Sequence, residues 1–229
     1  SPNYFKNPWN ADYLKNVQQN QNILLIGTGL TMVDCLLSLK KIGVTGKVFV
    51  VSPRGYTPAS HSKAEIYPDF YSELIGKTLL EIVQTVRKHI KIAESKNCSW
   101  ISVVDSLRPH VQELWVTLSK KDKQQFISHI RHIWGVARHR LPFTTHIELM
   151  DLKTKGQLEI IGGRIIDIWE VNGIVSASIQ LKGSSKKREL NVSRVINCTG
   201  PQSNYKELND IFIKNLLAKK VIIPNELKM

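Results

Sequence analysis

The sequence predicts an α/β fold: a Rossmann-like parallel sheet with a three-stranded β-meander and an inserted helical lobe. Two runs that are continuously apolar after their first residue, 22–26 and 47–51, are typical of parallel strands buried on both faces. Between them, Gly27-Thr28-Gly29 precedes a stretch with apolar residues at helical spacing, which completes a βαβ unit. Two later changes of periodicity, first helical and then alternating, indicate the lobe and the meander.

The remaining elements follow in chain order. The helix after the glycine turn is predicted over residues 30–42, where Gly43 ends it. Helical periodicity over about 67–137 is too long for a single crossover, so we interpret it as an insertion. Alternation that turns at Asn172-Gly173 then predicts the meander. We expect a helix at 145–155, a short strand at 158–161, meander strands at 164–170, 174–181 and 188–191, and a last strand at 192–198.

These elements predict three parts of the chain. Residues 1–21 are polar and irregular, and we expect a linker or an arm there. Residues 22–200 form the predicted Rossmann-like domain, with its helical insertion at about 66–140. Residues 201–229 form a return segment and a tail.

Composition narrows the classes of function. The chain has 229 residues, and its hydrophobic content of 42% is enough for a core. The sequence contains no run of about 18 apolar residues, so we predict no membrane span. It shows no basic-then-apolar leader, so we predict no secretion signal and a cytoplasmic location. The net charge of +13 favours anionic partners such as nucleotide cofactors. Aromatic residues do not interleave with the basic runs, so we do not expect nucleic acid as a partner.

The glycine turn carries the clearest chemical signal. Gly27 permits a tight turn from strand to helix, and Gly29 lets a pyrophosphate approach the backbone. The helix that starts at Leu30 directs its N–H groups towards the anion, and Thr31 adds a hydroxyl in its first turn. We predict that Thr28 contributes with these residues to a dinucleotide cradle. The third fingerprint position holds Met32, which implies a wider gap between helix and strand and leaves open a tight turn without a ligand.

The end of the second strand bears on cofactor choice. An NAD-selective site would carry a carboxylate there for the ribose 2′-hydroxyl, whereas this chain has Ser52 and Arg54. A hydroxyl and a guanidinium suit a 2′-phosphate, so NADP(H) is favoured over NAD(H). Both cofactors stay open, since Arg54 could equally be a solvated loop arginine.

Further candidate residues lie outside these two motifs. Thr199 and Gly200 follow the last predicted strand at a sharp turn. A basic run is a candidate site of contact with an anionic group of a cofactor or substrate: Arg138, His139 and Arg140. His129 and His132 are spaced i, i+3 but have no third ligand at fixed spacing, and the three cysteines are scattered, so no metal site is predicted. Asp34 and Asp105 could act as acids or bases, although surface or pairing roles are commoner for such carboxylates.

Several of these motifs together resemble a known family. Residues 27–34, 52–55, 105–110, 134 with 138–140, and 197–201 are similar, in the same order, to FAD/NAD(P)-binding proteins of the urate hydroxylase-like group. That group includes flavin-dependent monooxygenases with N-oxidising members. The resemblance implies that residues 27–31 hold a pyrophosphate, that Ser52 and Arg54 hold the adenosine end, and that Thr199 and Gly200 lie near the flavin boundary. One departure is Pro53, where the family commonly has an arginine.

Two functions follow. In the first, the chain is the NAD(P)H-binding part of a flavin-dependent oxidoreductase or monooxygenase and delivers hydride to FAD. Its partner is then an upstream FAD-binding domain, in the same chain or a separate one, because the family's own FAD fingerprint precedes the matching region. In the second, the chain is a non-catalytic nucleotide-binding or regulatory module, which Met32, Pro53 and the missing flavin half favour.

Overall fold

The computed structural model describes residues 2–61, 65–201, 204–224 and 227. The chain divides into two compact units, Ser1–Lys63 with His132–Thr199, and Ala64–Arg131 with Gly200–Met229. The predicted arm therefore belongs to the same unit as the sheet, and most of the predicted insertion belongs to the second unit. No helix in the described part of the chain is long and apolar enough to cross a lipid bilayer.

The secondary structure confirms the predicted α/β fold class. The strands are β1 (Tyr4–Phe5), β2 (Ile23–Ile26), β3 (Val48–Ser52), β4 (Leu158–Val171), β5 (Ile174–Leu181), β6 (Lys187–Val192) and β7 (Arg194–Asn197). The α-helices are α1 (Leu30–Lys41), α2 (Leu79–Ser95), α3 (Trp100–Leu107), α4 (Val111–Thr117), α5 (Lys120–Gln125), α6 (Arg131–Arg138), α7 (Phe143–Thr154) and α8 (Ile211–Ala218). The helical pattern predicted from residue 67 becomes an α-helix only at α2.

The first unit is built on one seven-stranded sheet in the order β1-β7-β2-β3-β4-β5-β6. Parallel pairing joins β1, β7, β2, β3 and the first part of β4. Antiparallel pairing joins the rest of β4 to β5, and β5 to β6, which forms the meander. The sheet is therefore mostly parallel, with an antiparallel edge, as the sequence predicted.

One long strand, β4, carries the parallel sheet into the meander. The sequence predicted separate strands at 158–161 and 164–170, and this division was wrong because the strand continues through Gly162 and Gly163. A Cβ on Gly163 would lie 2.7 Å from the carbonyl oxygen of Gln180 and 2.8 Å from a methyl group of Ile179. Glycine is therefore needed for the close approach of β5, not for a turn.

The parallel strands are buried on both faces by different layers. One face packs against α1 and α7, with Met32, Leu36 and Leu149 among the buried residues. The other face is covered by the meander, where Leu24 and Val195 of the parallel strands pack with Ile179. These two layers explain why the strand segments are continuously apolar instead of alternating.

The N-terminal arm is fastened to the sheet by a buried arginine. Its strand β1 pairs in parallel with β7, and Arg194 of β7 is 6% exposed. The guanidinium donates to three carbonyl oxygens of the arm, those of Tyr13, Lys15 and Asn16, at 2.6, 3.1 and 3.2 Å. Burial lowers the pKa of Arg194. These bonds satisfy both terminal nitrogens of a buried guanidinium, and they fasten the arm to the folded unit.

The second unit is helical in its described residues. Its core contains Phe70, Leu74, Ala93, Val103 and Leu107. Helix α2 begins at a capping box, in which Thr78 accepts from the backbone of Glu81 and Glu81 accepts from the backbone of Thr78. A π-helical turn, Phe126–Ile130, follows α5.

Candidate dinucleotide-binding site

The predicted cofactor residues meet at the carboxyl edge of the parallel sheet. Residue Ile26 of β2 is level with Val51 of β3 and with Asn197 of β7, and Ser52 is level with Gly162 of β4. Strand β2 lies between β3, which follows it in the chain, and β7, the last strand. The order of the strands therefore reverses at β2. Open α/β sheets bind ligands at such a switch point, outside the carboxyl ends of the strands.

Gly27 makes the turn out of β2, and two separate constraints require a glycine there. Its φ is +103°, in a region that other L-residues rarely adopt. A Cβ at this position would lie 2.8 Å from the carbonyl oxygen of Cys198. The backbone of Gly27 also donates to the carbonyl oxygen of Val51 at 2.7 Å. The turn is thereby fixed between β3 and the end of β7.

Gly29 differs from Gly27 because its surroundings are open. It precedes α1 with φ −79° and ψ −170°, and a Cβ would meet no atom within 4 Å. Its carbonyl oxygen accepts the first helical bonds, from Met32 and Val33. Within the described residues, the N–H groups of Gly29, Leu30 and Thr31 donate to no protein atom. Three N–H groups at an exposed helix start, with the positive end of the helix dipole, suit the pyrophosphate of a dinucleotide.

Met32, at the third fingerprint position, is fully buried in the core between α1 and the sheet. Its side chain belongs to the same core cluster as Leu36 and Ile23. The residue that departs from the fingerprint is therefore accommodated in the core and does not fill the cradle.

Ser52 connects the glycine turn to the loop after β3. Its hydroxyl oxygen accepts from the hydroxyl of Thr28 at 3.0 Å and from the backbone N–H of Gly55 at 3.0 Å. Since both bonds use the oxygen as the acceptor, the Ser52 proton stays available for a further acceptor such as a ligand phosphate. Thr28 and Ser52, which the sequence predicted separately, thus form one hydrogen-bonded unit.

The loop after β3 returns onto β4 at a contact between two glycines. Gly55 has φ +68°, and a Cβ there would lie 3.3 Å from the backbone of Gly162. A Cβ on Gly162 would in turn lie 3.6 Å from the carbonyl oxygen of Arg54. This contact holds the Arg54 backbone beside Gly162, where the parallel part of β4 ends, and the Arg54 side chain is partly exposed there.

The same contact brings in a residue that the sequence did not single out. Lys182 follows β5, and its backbone N–H donates to the carbonyl oxygen of Gly162 at 2.9 Å. Its ammonium lies 5.3 Å from the ring centroid of Tyr56, in the loop after β3. The only signal in the sequence was a lysine at the end of a meander strand. This signal did not indicate a site residue, because the neighbouring Gly162 lies 20 residues earlier in the chain.

The segment after β7 is stabilised by its own polar groups. Both the backbone N–H and the hydroxyl of Thr199 donate to Oδ1 of Asn197, at 3.2 and 2.8 Å. Gly200 has φ +89°, which explains the sharp turn predicted there. Next to it, Cys198 is buried with Cys35: their hydrogen bond lowers the pKa of Cys35, and the same bond and burial raise the pKa of Cys198.

The other candidate residues have varied surroundings. Arg138 and His139 are exposed, while Arg140 is only 7% exposed, next to a bridge between Leu141 and Ser60. Their predicted contact with an anion stays a prediction.

Among the remaining titratable candidates, Asp105 pairs with Arg108 at 3.0 Å, so a pairing role is observed. Asp34 is exposed on α1, and His129 and His132 are exposed. Across the described residues, no group of three or more histidine, cysteine or carboxylate side chains is arranged to hold a metal ion.

Comparison with solved structures finds several proteins to which this chain is similar. L-lysine 6-monooxygenase from Pseudomonas syringae superimposes with a TM-score of 0.51 at 15% identity, over 90% of this chain and 42% of that chain. A cadaverine monooxygenase of desferrioxamine biosynthesis from Erwinia amylovora, bound to FAD, gives 0.49 at 12% identity, over 99% and 44%. A Kutzneria ornithine N-hydroxylase, with reduced FAD, NADP+ and L-ornithine, gives 0.46 at 12% identity, over 87% and 41%.

At this level of identity, the likeness to the lysine 6-monooxygenase shows a shared fold. The chain spans less than half the length of these solved structures. No protein-family model and no curated protein sequence matches the chain. Membership of the urate hydroxylase-like group stays a prediction.

Proposed function

We propose that this chain is the NADP(H)-binding portion of a flavin-dependent monooxygenase. The observation that carries the proposal is the open glycine turn at the switch point of the sheet. There the N–H groups of Gly29, Leu30 and Thr31 have no protein acceptor, and Gly29 leaves the approach clear. A buried strand end with unused donors and open space above it is the arrangement that a pyrophosphate requires.

Different residues at the turn would bind different parts of the cofactor. The N–H groups of residues 29–31 would bind the pyrophosphate, and Gly27 would fix the turn against β7. Ser52 and Arg54 would face the adenosine ribose, where the lack of a carboxylate after β3 favours a 2′-phosphate over a bare 2′-hydroxyl. This charge pattern supports NADP(H) as the preferred form.

The flavin would belong to a separate part of the intact protein. Hydride delivery to a flavin is the chemistry that NADPH supplies when it is bound. The chain's own contribution is to orient that cofactor, while Thr199 and Gly200, after β7, would lead towards an FAD-binding domain. We extend the proposal to an N-oxidising monooxygenase of the urate hydroxylase-like group, and to the cytoplasm, where the three free thiols would stay reduced.

The test is NADPH binding to the purified chain, measured by calorimetry, with Gly29→Ala as the variant. The added methyl group meets no protein atom but occupies the approach of the pyrophosphate, so we expect affinity to fall about tenfold or more, about 1.4 kcal/mol. Gly135→Ala is the matched control, since a Cβ at Gly135 on α6 also meets open space. Failure of the unmodified chain to bind NADPH and NADH, or equal binding by Gly29→Ala, would overturn the proposal.

A further inference from the structure

Residues 53–56, which directly follow β3, contain a single cation, Arg54, flanked by Pro53 and Gly55. A phosphate monoester carries a charge of about −1.5 to −2 at pH 7, so one guanidinium neutralises only part of it. A site selective for a 2′-phosphate would therefore gain from a second positive group. Among the described residues, a lysine that follows a different strand of the sheet can supply this positive group.

We propose that Lys182, at the end of β5, is the second cation of a 2′-phosphate site and sets the preference for NADP(H) over NAD(H); this inference rests on the proposed function. Position and charge are the two observations behind it. A Cβ placed on Gly162 would lie 3.6 Å from the Arg54 carbonyl oxygen and 3.7 Å from the Lys182 Cβ atom. Arg54 and Lys182 therefore border the same glycine.

The direction of the lysine side chain supports this role. Its ammonium lies 5.3 Å from the ring centroid of Tyr56, so the side chain is directed over the loop after β3 and not away from it. A cation above an aromatic ring is held by the ring's negative face. The backbone bond from Lys182 to the Gly162 carbonyl oxygen fixes the other end of the residue. Lys182 is also exposed, which leaves its ammonium accessible to a ligand.

Ser52 completes the arrangement. It is level with Gly162 in the sheet, and its hydroxyl keeps a proton to donate after accepting from Thr28 and Gly55. One hydroxyl, one guanidinium and one ammonium would thus surround the position where a ribose lies beyond the end of the second strand of a βαβ unit. A Cβ on Gly162 would be in ordinary van der Waals contact with both residues, so Gly162 marks the place where Arg54 and Lys182 approach each other.

The experiment measures calorimetric binding of NADPH, NADH, adenosine 2′,5′-bisphosphate and 5′-AMP to the full chain. For Lys182→Gln we expect NADPH and the bisphosphate to bind about 5-fold to 20-fold more weakly, within the range for a lost charge-assisted bond at an exposed site. NADH and 5′-AMP should change less than about twofold, because they lack the 2′-phosphate. Lys182→Arg should restore most of the affinity for NADPH.

Lys187→Gln is the matched control. Lys187 is an exposed lysine on β6 of the same meander, where it pairs with Gln180 of β5. It should leave all four affinities unchanged. Equal losses of NADPH and NADH in Lys182→Gln, or no loss of either, would overturn the inference while the proposed function stands. If the unmodified chain binds NADH but not NADPH, the inference and the proposed preference for NADP(H) are both wrong, although a dinucleotide site remains; if it binds neither, the proposed function fails entirely.

Discussion

The first unit contains two polar regions that differ in how completely their groups are satisfied. At the glycine turn, the N–H groups of Gly29, Leu30 and Thr31 have no acceptor in the described structure. Near the start of β4, by contrast, Glu159 is bonded to Arg188 through both carboxylate oxygens and to Lys47 at 2.7 Å. Both cations also lie over the ring of Phe49, at 5.3 and 5.7 Å from its centroid.

The difference separates polar groups that stabilise the fold from those that can bind a ligand. The Glu159 carboxylate has two charged partners and little capacity for a third, so its contribution is to hold β3, β4 and β6 together. The glycine turn leaves donors unused at an exposed edge, which adds nothing to the stability of the chain alone. Substitutions at the unused donors, such as Gly29, should therefore reduce cofactor binding more than stability, whereas substitutions at Glu159 should reduce stability more than binding.

The largest expected effect on stability is that of Gly27→Ala. The new methyl group would be forced into a positive φ and to within 2.8 Å of the Cys198 carbonyl oxygen, at a cost of about 2–4 kcal/mol in the free energy of unfolding. Urea denaturation measures this loss. Gly29→Ala is the control: it replaces a glycine before α1 and should cost less than about 1 kcal/mol. Similar losses for the two variants would remove the distinction between a structural and a binding glycine.

Glu159→Gln should have the next largest effect. The Arg188 hydrogen bonds, and then Lys47, lower the pKa of Glu159 to about 2, from 4.5. A carboxyl with a lowered folded-state pKa stabilises the protein fully above pH 4.5, and the contribution is lost as pH falls towards about 2. We expect a loss of about 1–3 kcal/mol at pH 7.

Measuring urea unfolding between pH 7 and pH 3 should show the unmodified chain and Glu159→Gln converging as the pH falls. Glu189→Gln, at an exposed position on β6, is the control and should stay close to the unmodified chain throughout. NADPH affinity at pH 7 should be unchanged in both variants. A parallel offset at all pH values would argue against a titrating ion pair.

Of the three substitutions, Ser52→Ala should have the smallest effect on stability, and it should affect both stability and cofactor binding. It removes the acceptor of Thr28 and of the Gly55 backbone, at a cost of about 1 kcal/mol. It should also weaken NADPH binding, because the hydroxyl proton is lost. Ser176→Ala removes an exposed bond to Asn191 and serves as the control for both measurements. Full NADPH affinity in Ser52→Ala would confine this serine to a structural role.

Much of the fold could be predicted because its signals are local. Residues 22–52 specify strand, glycine turn, helix and strand through periodicity and two glycines, and the structure places these elements close to the predicted bounds. The turn at Asn172-Gly173 is likewise encoded by two residues that adopt positive φ, 51° and 78°. The division at Gly163 was misjudged, since the same residue type serves a turn in one place and a close approach of strands in another.

The sequence by itself determined which residues open the turn and which one ends β3, because backbone freedom and charge are properties of single residues. Only the tertiary structure decided that Met32 lies in the core, that Arg194 holds the arm, and that Lys182 borders Arg54 across Gly162. Such neighbours lie up to 181 residues apart in the chain. Their proximity depends on the order and register of strands, which no local pattern of residues records.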